Sequence, residues 1–279
     1  MIRIGVIGEH DPDNETHVAT DDALGHSALN LGLGVEPTWV STADIADPAV
    51  DLAGFAGLFI APGSPYRSME GALRAIEHAR TEDVPLLGTC GGLQHVVLEI
   101  ARDVLGIEDA QHAEYDPQAS TLFVTPLSCS LAGRTMEVDI RPDTAAAAAY
   151  GAPSATERYY CNFGLNPDHL DDLVAAGVRI SGVDADGEVR IVELPDRRFF
   201  LATLFVPQAR STLVHPHPVV SAFVSACAAA AGDDAGTVDG AADDGEGDAA
   251  RRDGIESVVV RPAADPSPPR LSFGGDDPD

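Results

Sequence analysis

The stretch GTCGGLQH (88–95) sets a cysteine between glycines, after the apolar run VPLL and before the helical pattern LQHVVLEIARDVL. A strand turning sharply into a helix there would expose the sulfur of Cys90, and Gly88, Gly91 and Gly92 would permit the strained backbone of such a turn. The helix beginning near Gly92 aims its amide end at the sulfur and favours the thiolate, the nucleophilic form. The chemistry in prospect is covalent attack on a carbonyl. An unassisted thiol is only about a few per cent ionised at neutral pH, so Cys90 needs a base.

Other side chains of useful type are nearby in sequence. On the helix after Cys90, Leu93, Val96, Val97, Ile100, Ala101 and Val104 form an apolar face. His95, Glu99 and Arg102 fall on another face, which points His95 to solvent or a sheet edge and away from the thiol. His112, two residues before Glu114, is the better candidate base. Cys129 in PLSCSL and Cys161 in YYCNF lie on segments that would cover the site. If their thiols converged on Cys90, redox or soft-metal chemistry would follow; the expectation is that they are small buried hydrophobes. The four cysteines have long, irregular spacings and no signal peptide precedes them, so free thiols in a reducing compartment are expected. His215 and His217 in HPHP read as a proline-stiffened entry to the last helix, and no metal site is expected. The polar loop EHDPDNETH (9–17) follows the first strand, where ligands of open α/β sheets bind, and is a candidate part of the substrate site.

The elements that must hold these residues alternate. Short apolar runs at 2–7, 56–63 and 84–90 read as strands, with helical patterns at 20–32, 69–80 and 92–105. That alternation predicts a doubly wound, mostly parallel α/β sheet covered on both faces, with right-handed crossovers. The second half is richer in strands, at 121–124, 135–140, 156–163, 178–184, 188–194 and 198–205, with an Asp-Gly hairpin turn in GVDADGEVRIVEL. An apolar-faced helix over 217–232 closes the domain and is expected to stop at Gly232. The organisation predicted is a domain over 1–231 and an acidic tail over 232–279 too poor in apolar residues to order itself. Within the tail, IESVVVRP (255–262) is the one segment with the pattern of a docking strand.

The net charge is −28, and all 17 basic residues are arginine. Residues 232–279 hold 13 acids and four arginines, so residues 1–231 still carry −19. A surface this acidic repels nucleic acid and anionic lipid, which argues against both as partners, and it suits high salt, where counterions screen self-repulsion. No apolar run reaches about 18 residues, so no membrane span is expected. The N-terminus is too short and too polar after Ile7 for a signal peptide, and a cytoplasmic location is expected.

Four stretches follow one another in a recognisable order: PGSPYRSMEGALRAIEHARTEDVPLLGTCGGLQHVVLEIARDVLGIEDAQHAEYDP (62–117), ERYYCNFGLNP (157–167), ISGVDADGEVRIVELPDRRFFLATLF (180–205) and HPHPVVSAFV (215–224). Together they resemble, over 1–231, the glutamine amidotransferase domain of CTP synthase, a class I, triad-type amidotransferase. They resemble still more closely stand-alone proteins related to the C-terminal region of CTP synthase. The resemblance implies a flavodoxin-like sheet and hydrolysis of glutamine or a related amide through Cys90, linked to pyrimidine nucleotide synthesis and needing no cofactor. It implies that backbone N–H groups of Gly63 and Gly91 form an oxyanion hole. It further implies that Gln94 and Glu114 hold the amino-acid head of the substrate, Glu114 pairing with the ammonium. Arg158 matches an arginine at the start of its motif; the later position, expected to hold the substrate carboxylate, is Asn162.

The departures are as informative. In the family a histidine, and a glutamate two residues later, follow the last strand; here FVPQA places Val206 and Gln208 there, a degenerate triad. The synthase part is expected to precede such a domain, and no phosphate-binding loop of the form G-x-x-x-x-G-K-[ST] can exist in a chain without lysine, so a complete CTP synthase is not expected. The expected ligand is a small amide or amino acid. Three roles stay open: a Cys-dependent amidohydrolase with very low glutaminase activity, a non-catalytic ligand-binding or regulatory protein, and an amidotransferase component serving a separate synthase chain.

Overall fold

The computed structural model is described over residues 1–239; the acidic tail beyond them, with the segment 255–262, lies outside the described residues. In chain order the elements are β1 (Ile2–Ile7), α1 (Glu15–Leu31), β2 (Val35–Val40), α2 (Pro48–Asp51), β3 (Gly57–Ile60), α3 (Met69–Thr81), β4 (Leu86–Thr89) and α4 (Gly91–Glu99). There follow β5 (Gln111–His112), β6 (Leu122–Pro126), β7 (Thr135–Ile140), α5 (Ala145–Tyr150), β8 (Ser154–Arg158), β9 (Phe163–Leu165) and α6 (Leu170–Ala175). The last are β10 (Arg179–Val183), β11 (Val189–Glu193), β12 (Phe200–Thr203) and α7 (Pro218–Asp239).

Nine strands form one sheet in the order β2-β1-β3-β4-β12-β11-β10-β7-β8. The five from β2 to β12 run parallel, and the rest continue antiparallel. Strand alternation distributes the helices over the parallel half. A Cβ added at Gly57 would meet Cys227 and Phe223 of α7, and Phe59, two residues on, meets the Phe223 ring edge-on. Ile60 points to the other face, where it abuts Gly92 of α4. The strands between are therefore buried on both sides, as the continuous apolar runs at β3 and β4 require. The predicted hairpin is present: β10 and β11 pair antiparallel around Asp184–Gly187.

Several expectations are corrected. Strand β2 was not among the expected strands; it contains Pro37 and lies at the sheet edge, where a missing N–H is tolerated. The run 156–163 is not one strand but β8 in the large sheet and β9 in a second, three-stranded sheet, β5-β6-β9. The helix expected from 20 begins at Glu15, because the Asn14 side chain caps it at the Thr16 N–H. The pattern 92–105 is α-helical only to Glu99 and widens into a π turn over Ile100–Val104. Helix α7 does not stop at Gly232 but continues to Asp239. A glycine costs a helix about 1 kcal/mol without breaking it, and Asp233 just beyond is paired with Arg198 at 2.5 Å.

Candidate active site

Cys90 occupies the turn between β4 and α4 with φ 53° and ψ −107°, a left-handed φ that a non-glycine residue rarely takes. The strain sits on the cysteine itself. The glycines around it serve close approach: a Cβ on Gly92 would stand 2.5 Å from the Ile60 carbonyl oxygen, and one on Gly91 3.2 Å from the Ser64 nitrogen. The Cys90 N–H is fixed to the Thr203 carbonyl at the end of β12. No side chain caps the first turn of α4, whose N-cap residue is Cys90 itself. Gly63, at φ 102°, abuts Gly91 through the neighbouring Ser64. Its loop is held by His17, whose Nε2 reaches the Pro62 carbonyl at 3.1 Å and whose Nδ1 accepts the Asp11 N–H at 3.0 Å.

A cavity of about 220 Å³ opens onto Cys90. Gly63, Ser64, Gln94, Glu114, Asn162 and Phe163 line it, with Asn14 and Thr16 from the 9–17 segment and Tyr160 and Cys161 opposite. A second hollow of about 520 Å³ shares Asn14, Gly63 and Ser64 with it and is bounded by Glu9, His10 and Asp11, so the polar loop after β1 does border the site. A larger open groove of about 580 Å³ around Arg141, Val174 and Arg179 is lined by no cysteine.

The Glu114 Oε2 atom is buried and has no hydrogen-bond partner. A carboxylate oxygen removed from water costs free energy until a donor meets it, and this one borders the cavity. Gln94 is buried and already committed: its amide donates to the Phe163 carbonyl at 2.9 Å, and its oxygen accepts from His112 Nε2 at 3.0 Å and from Ser64 at 3.3 Å. It orders the lining of the cavity. Asn162 lies at the exposed rim, with its oxygen accepting from Ser130 at 2.6 Å. Arg158 does not reach the cavity lining; it stacks on Tyr160 at 5.0 Å and stands 4.0 Å from Glu15.

Neither candidate base is free. His95 is fully buried, not at solvent or a sheet edge, because the small sheet packs against the α4 face expected to be exposed. Its Nδ1 must donate to the Gly91 carbonyl at 2.8 Å, so Nε2 accepts from the Tyr115 hydroxyl at 2.9 Å, whose oxygen in turn accepts the Tyr66 N–H at 2.7 Å. Burial lowers its pKa to about 4. His112 accepts the Glu114 N–H on Nδ1 at 3.0 Å and donates from Nε2 to Gln94. Burial, and then the charge of His95, lower its pKa to about 3. Glu99 is buried too, held by Arg80 at 2.6 Å.

Val206 is fully buried in the turn after β12. Gln208 follows it and donates to the hydroxyls of Thr20 at 3.1 Å and Thr89 at 3.0 Å; Thr89 immediately precedes Cys90. Gln208 therefore adjoins the elbow, and neither residue offers a side chain able to take a proton.

Of the four cysteines, Cys129 and Cys227 are free thiols as expected, and Cys90 and Cys161 are not. Cys90 and Cys161 are joined as a disulfide with Cα atoms 6.1 Å apart, so Cys161 is neither a free thiol nor a mere core hydrophobe. No local pattern pairs residues 71 apart; the pairing arises because the 158–162 segment, leaving β8, passes over the end of β12. Cys129 is exposed and borders a different cavity. Cys227 is buried under β3, and burial raises its pKa. His215 is exposed, whereas His217 is buried and donates to Glu157 at 3.0 Å beside the Tyr150 hydroxyl. Among the described residues no group of three or more His, Cys, Asp or Glu side chains converges as a metal site would.

Similarities to known proteins fall into one pattern. The model of the class I glutamine amidotransferase family matches residues 16–226. The CTP synthase of Thermococcus gammatolerans is 34% identical over 237 residues, 81% of this chain and 44% of that protein. The CTP synthase of Saccharolobus solfataricus is 30% identical over 240 residues, 81% of this chain and 45% of its own length. The chain thus spans less than half the length of the curated relatives it matches. Among solved structures, the Trypanosoma brucei CTPS glutaminase domain with bound acivicin superposes with a TM-score of 0.76 at 26% identity, covering 82% of this chain and 94% of that one. A GMP synthase-type protein from Thermoplasma acidophilum, at TM-score 0.54 and 17% identity over 84% of this chain and 98% of that one, shares the fold.

Proposed function

We propose, since this chain belongs to the class I glutamine amidotransferase family and is related to the glutaminase domain of CTP synthase, that its Cys90 site binds a small amino-acid-type amide and hydrolyses glutamine at background rates. The observation that carries this reading is the pair Val206 and Gln208 in the turn after β12: one is buried and apolar, the other is an amide tied to Thr20 and to Thr89 beside Cys90.

The steps that remain and the step that is lost can be separated. A Cys90 thiolate at the amide end of α4 can add to an amide carbon. The oxyanion so formed would lie against the N–H groups of Gly63 and Gly91, an interaction that needs no base. Collapse of the adduct requires a proton on the departing nitrogen, and Val206 has none to give. Losing the base of a triad can cost on the order of 10⁶ in turnover, while oxyanion stabilisation alone retains roughly 10³–10⁴ over water. His95 and His112 do not substitute, since both ring nitrogens of each are occupied.

Recognition is also altered. Glu114, with an unpartnered buried oxygen at the cavity, suits a ligand ammonium. Among the described residues no arginine lines the cavity, so a ligand carboxylate has no guanidinium to meet there, and Asn162 offers only a neutral rim contact. Calorimetric titration of the reduced protein with glutamine and with primary amides bearing or lacking an α-ammonium tests this. Only ammonium-bearing ligands should bind, and Glu114→Gln should weaken them by about 10- to 100-fold, the worth of one charge-assisted hydrogen bond. Equal binding of N-acetylated ligands, or an unchanged affinity in Glu114→Gln, would overturn the assignment.

A further inference from the structure

We propose that Cys90 and Cys161 form a two-electron thiol centre that reduces small hydroperoxides, a chemistry distinct from amide hydrolysis. Their Cα separation of 6.1 Å lies inside the range of about 4.4–6.8 Å that a disulfide spans without backbone movement. The two residues are anchored to the same piece of backbone: the Cys90 N–H donates to the Thr203 carbonyl at 2.8 Å, and the Cys161 sulfur sits 2.9 Å from the Leu204 carbonyl. The Cys161 backbone is pinned as well, its carbonyl accepting the Leu131 N–H at 3.1 Å. Pairing is thus a property of the folded frame and not of a loose loop.

The two sulfurs have different surroundings, and this assigns their roles. Cys90 lies at the uncapped amide end of α4, which favours the thiolate, and is 7% exposed toward the cavity. In the dithiol form the Cys161 S–H donates to the Leu204 carbonyl, which keeps its proton in place, and it is only 2% exposed. Cys90 is the attacking thiol and Cys161 the resolving one. Both line a cavity of about 220 Å³, which admits a small molecule and excludes a folded protein, so the oxidant is a small hydroperoxide.

The steps balance. The Cys90 thiolate attacks the terminal oxygen of ROOH; an S–O bond forms, the O–O bond breaks, and RO⁻ leaves and takes a proton from water. Because the departing anion is protonated by water, the step needs no histidine base. The Cys161 sulfur then attacks the Cys90 sulfenic acid, forming the disulfide and releasing water. The protein loses two electrons and the hydroperoxide gains them. An external dithiol restores the pair by exchange.

The test uses the full chain carrying Cys129→Ser, which removes the exposed thiol, reduced with dithiothreitol, freed of reductant and treated with hydrogen peroxide. One peroxide should be consumed per chain, with loss of about 2 Da and a cross-linked peptide joining Cys90 to Cys161. Oxidised glutathione at the same concentration should act at least about 10-fold more slowly, since it has to enter a site with little exposed sulfur. Cys161→Ser should stop at a Cys90 sulfenic acid that dimedone traps, and Cys90→Ser should leave the Cys161 thiol intact at the same dose. Oxidation of Cys90 while Cys161 stays free would overturn the proposal. So would equal loss of Cys161 in Cys90→Ser, or oxidation by glutathione disulfide but not by peroxide. The background protein alone decides the first and last of these, should a variant fail to fold.

Discussion

His112 spends both ring nitrogens on positioning, one on the Glu114 N–H and one on Gln94, and His95 does the same between Gly91 and Tyr115. Both are buried neutral, with pKa values of about 3 and about 4 in the fold against an ordinary 6.5. The unfolded chain takes up these protons below pH 6.5 and the folded one does not, so their contribution to stability is full above that pH and is lost as the pH falls toward 4. At pH 5 the loss is roughly 2 kcal/mol for each histidine. Urea unfolding should therefore show a lower midpoint at pH 5 than at pH 7; equal midpoints would mean that neither ring is held neutral. In sequence His112 was legible as a polar residue two positions before Glu114 but not as an occupied one, because the occupation comes from Gln94, 18 residues away. Cys90 was legible from its neighbours alone, since an elbow is a local structure. Its partner was not, since the contact depends on where β8 ends.

At the scale of elements, the parallel half of the sheet follows from its pattern: β1, β3 and β4 are short apolar runs bounded by turn residues and followed by helices. Elsewhere one sequence pattern serves two structures. The alternating run TERYYCNF carries strand signals throughout, yet the chain leaves the large sheet after Arg158 and enters the small one at Phe163. The four residues between them place Cys161 over the β12 end. The face of α4 bearing His95 and Glu99 looked exposed because its residues are polar. It is buried because α3 brings Arg80 to Glu99, and β5 and the segment after it bring His112 and Tyr115 to the His95 side. Polarity marks a solvated face only when no neighbour supplies partners, and the neighbours here are distant in sequence. The places of Val206 and Gln208 were legible by contrast, since both follow the end of β12 at Thr203 within five residues and needed only that strand to be placed.

Across the whole molecule, 45 acidic residues face 17 arginines. Self-repulsion of that size opposes the compact state and is screened by salt. Raising KCl from about 0.1 M to molar concentrations should raise the thermal midpoint by several degrees; a flat or falling midpoint would contradict a surface adapted to dense counterions. The central claim is that the fold retains a reactive elbow thiol without a base to complete hydrolysis, and one experiment addresses it with the least intervening inference. The protein is fully reduced, so that Cys90 is released from Cys161, and is then given either a chloroketone analogue of glutamine or glutamine itself. Rapid alkylation of Cys90 at neutral pH is expected, together with ammonia release from glutamine no faster than that of Cys90→Ser. Sustained ammonia release by the reduced protein, abolished in Cys90→Ser, would contradict it.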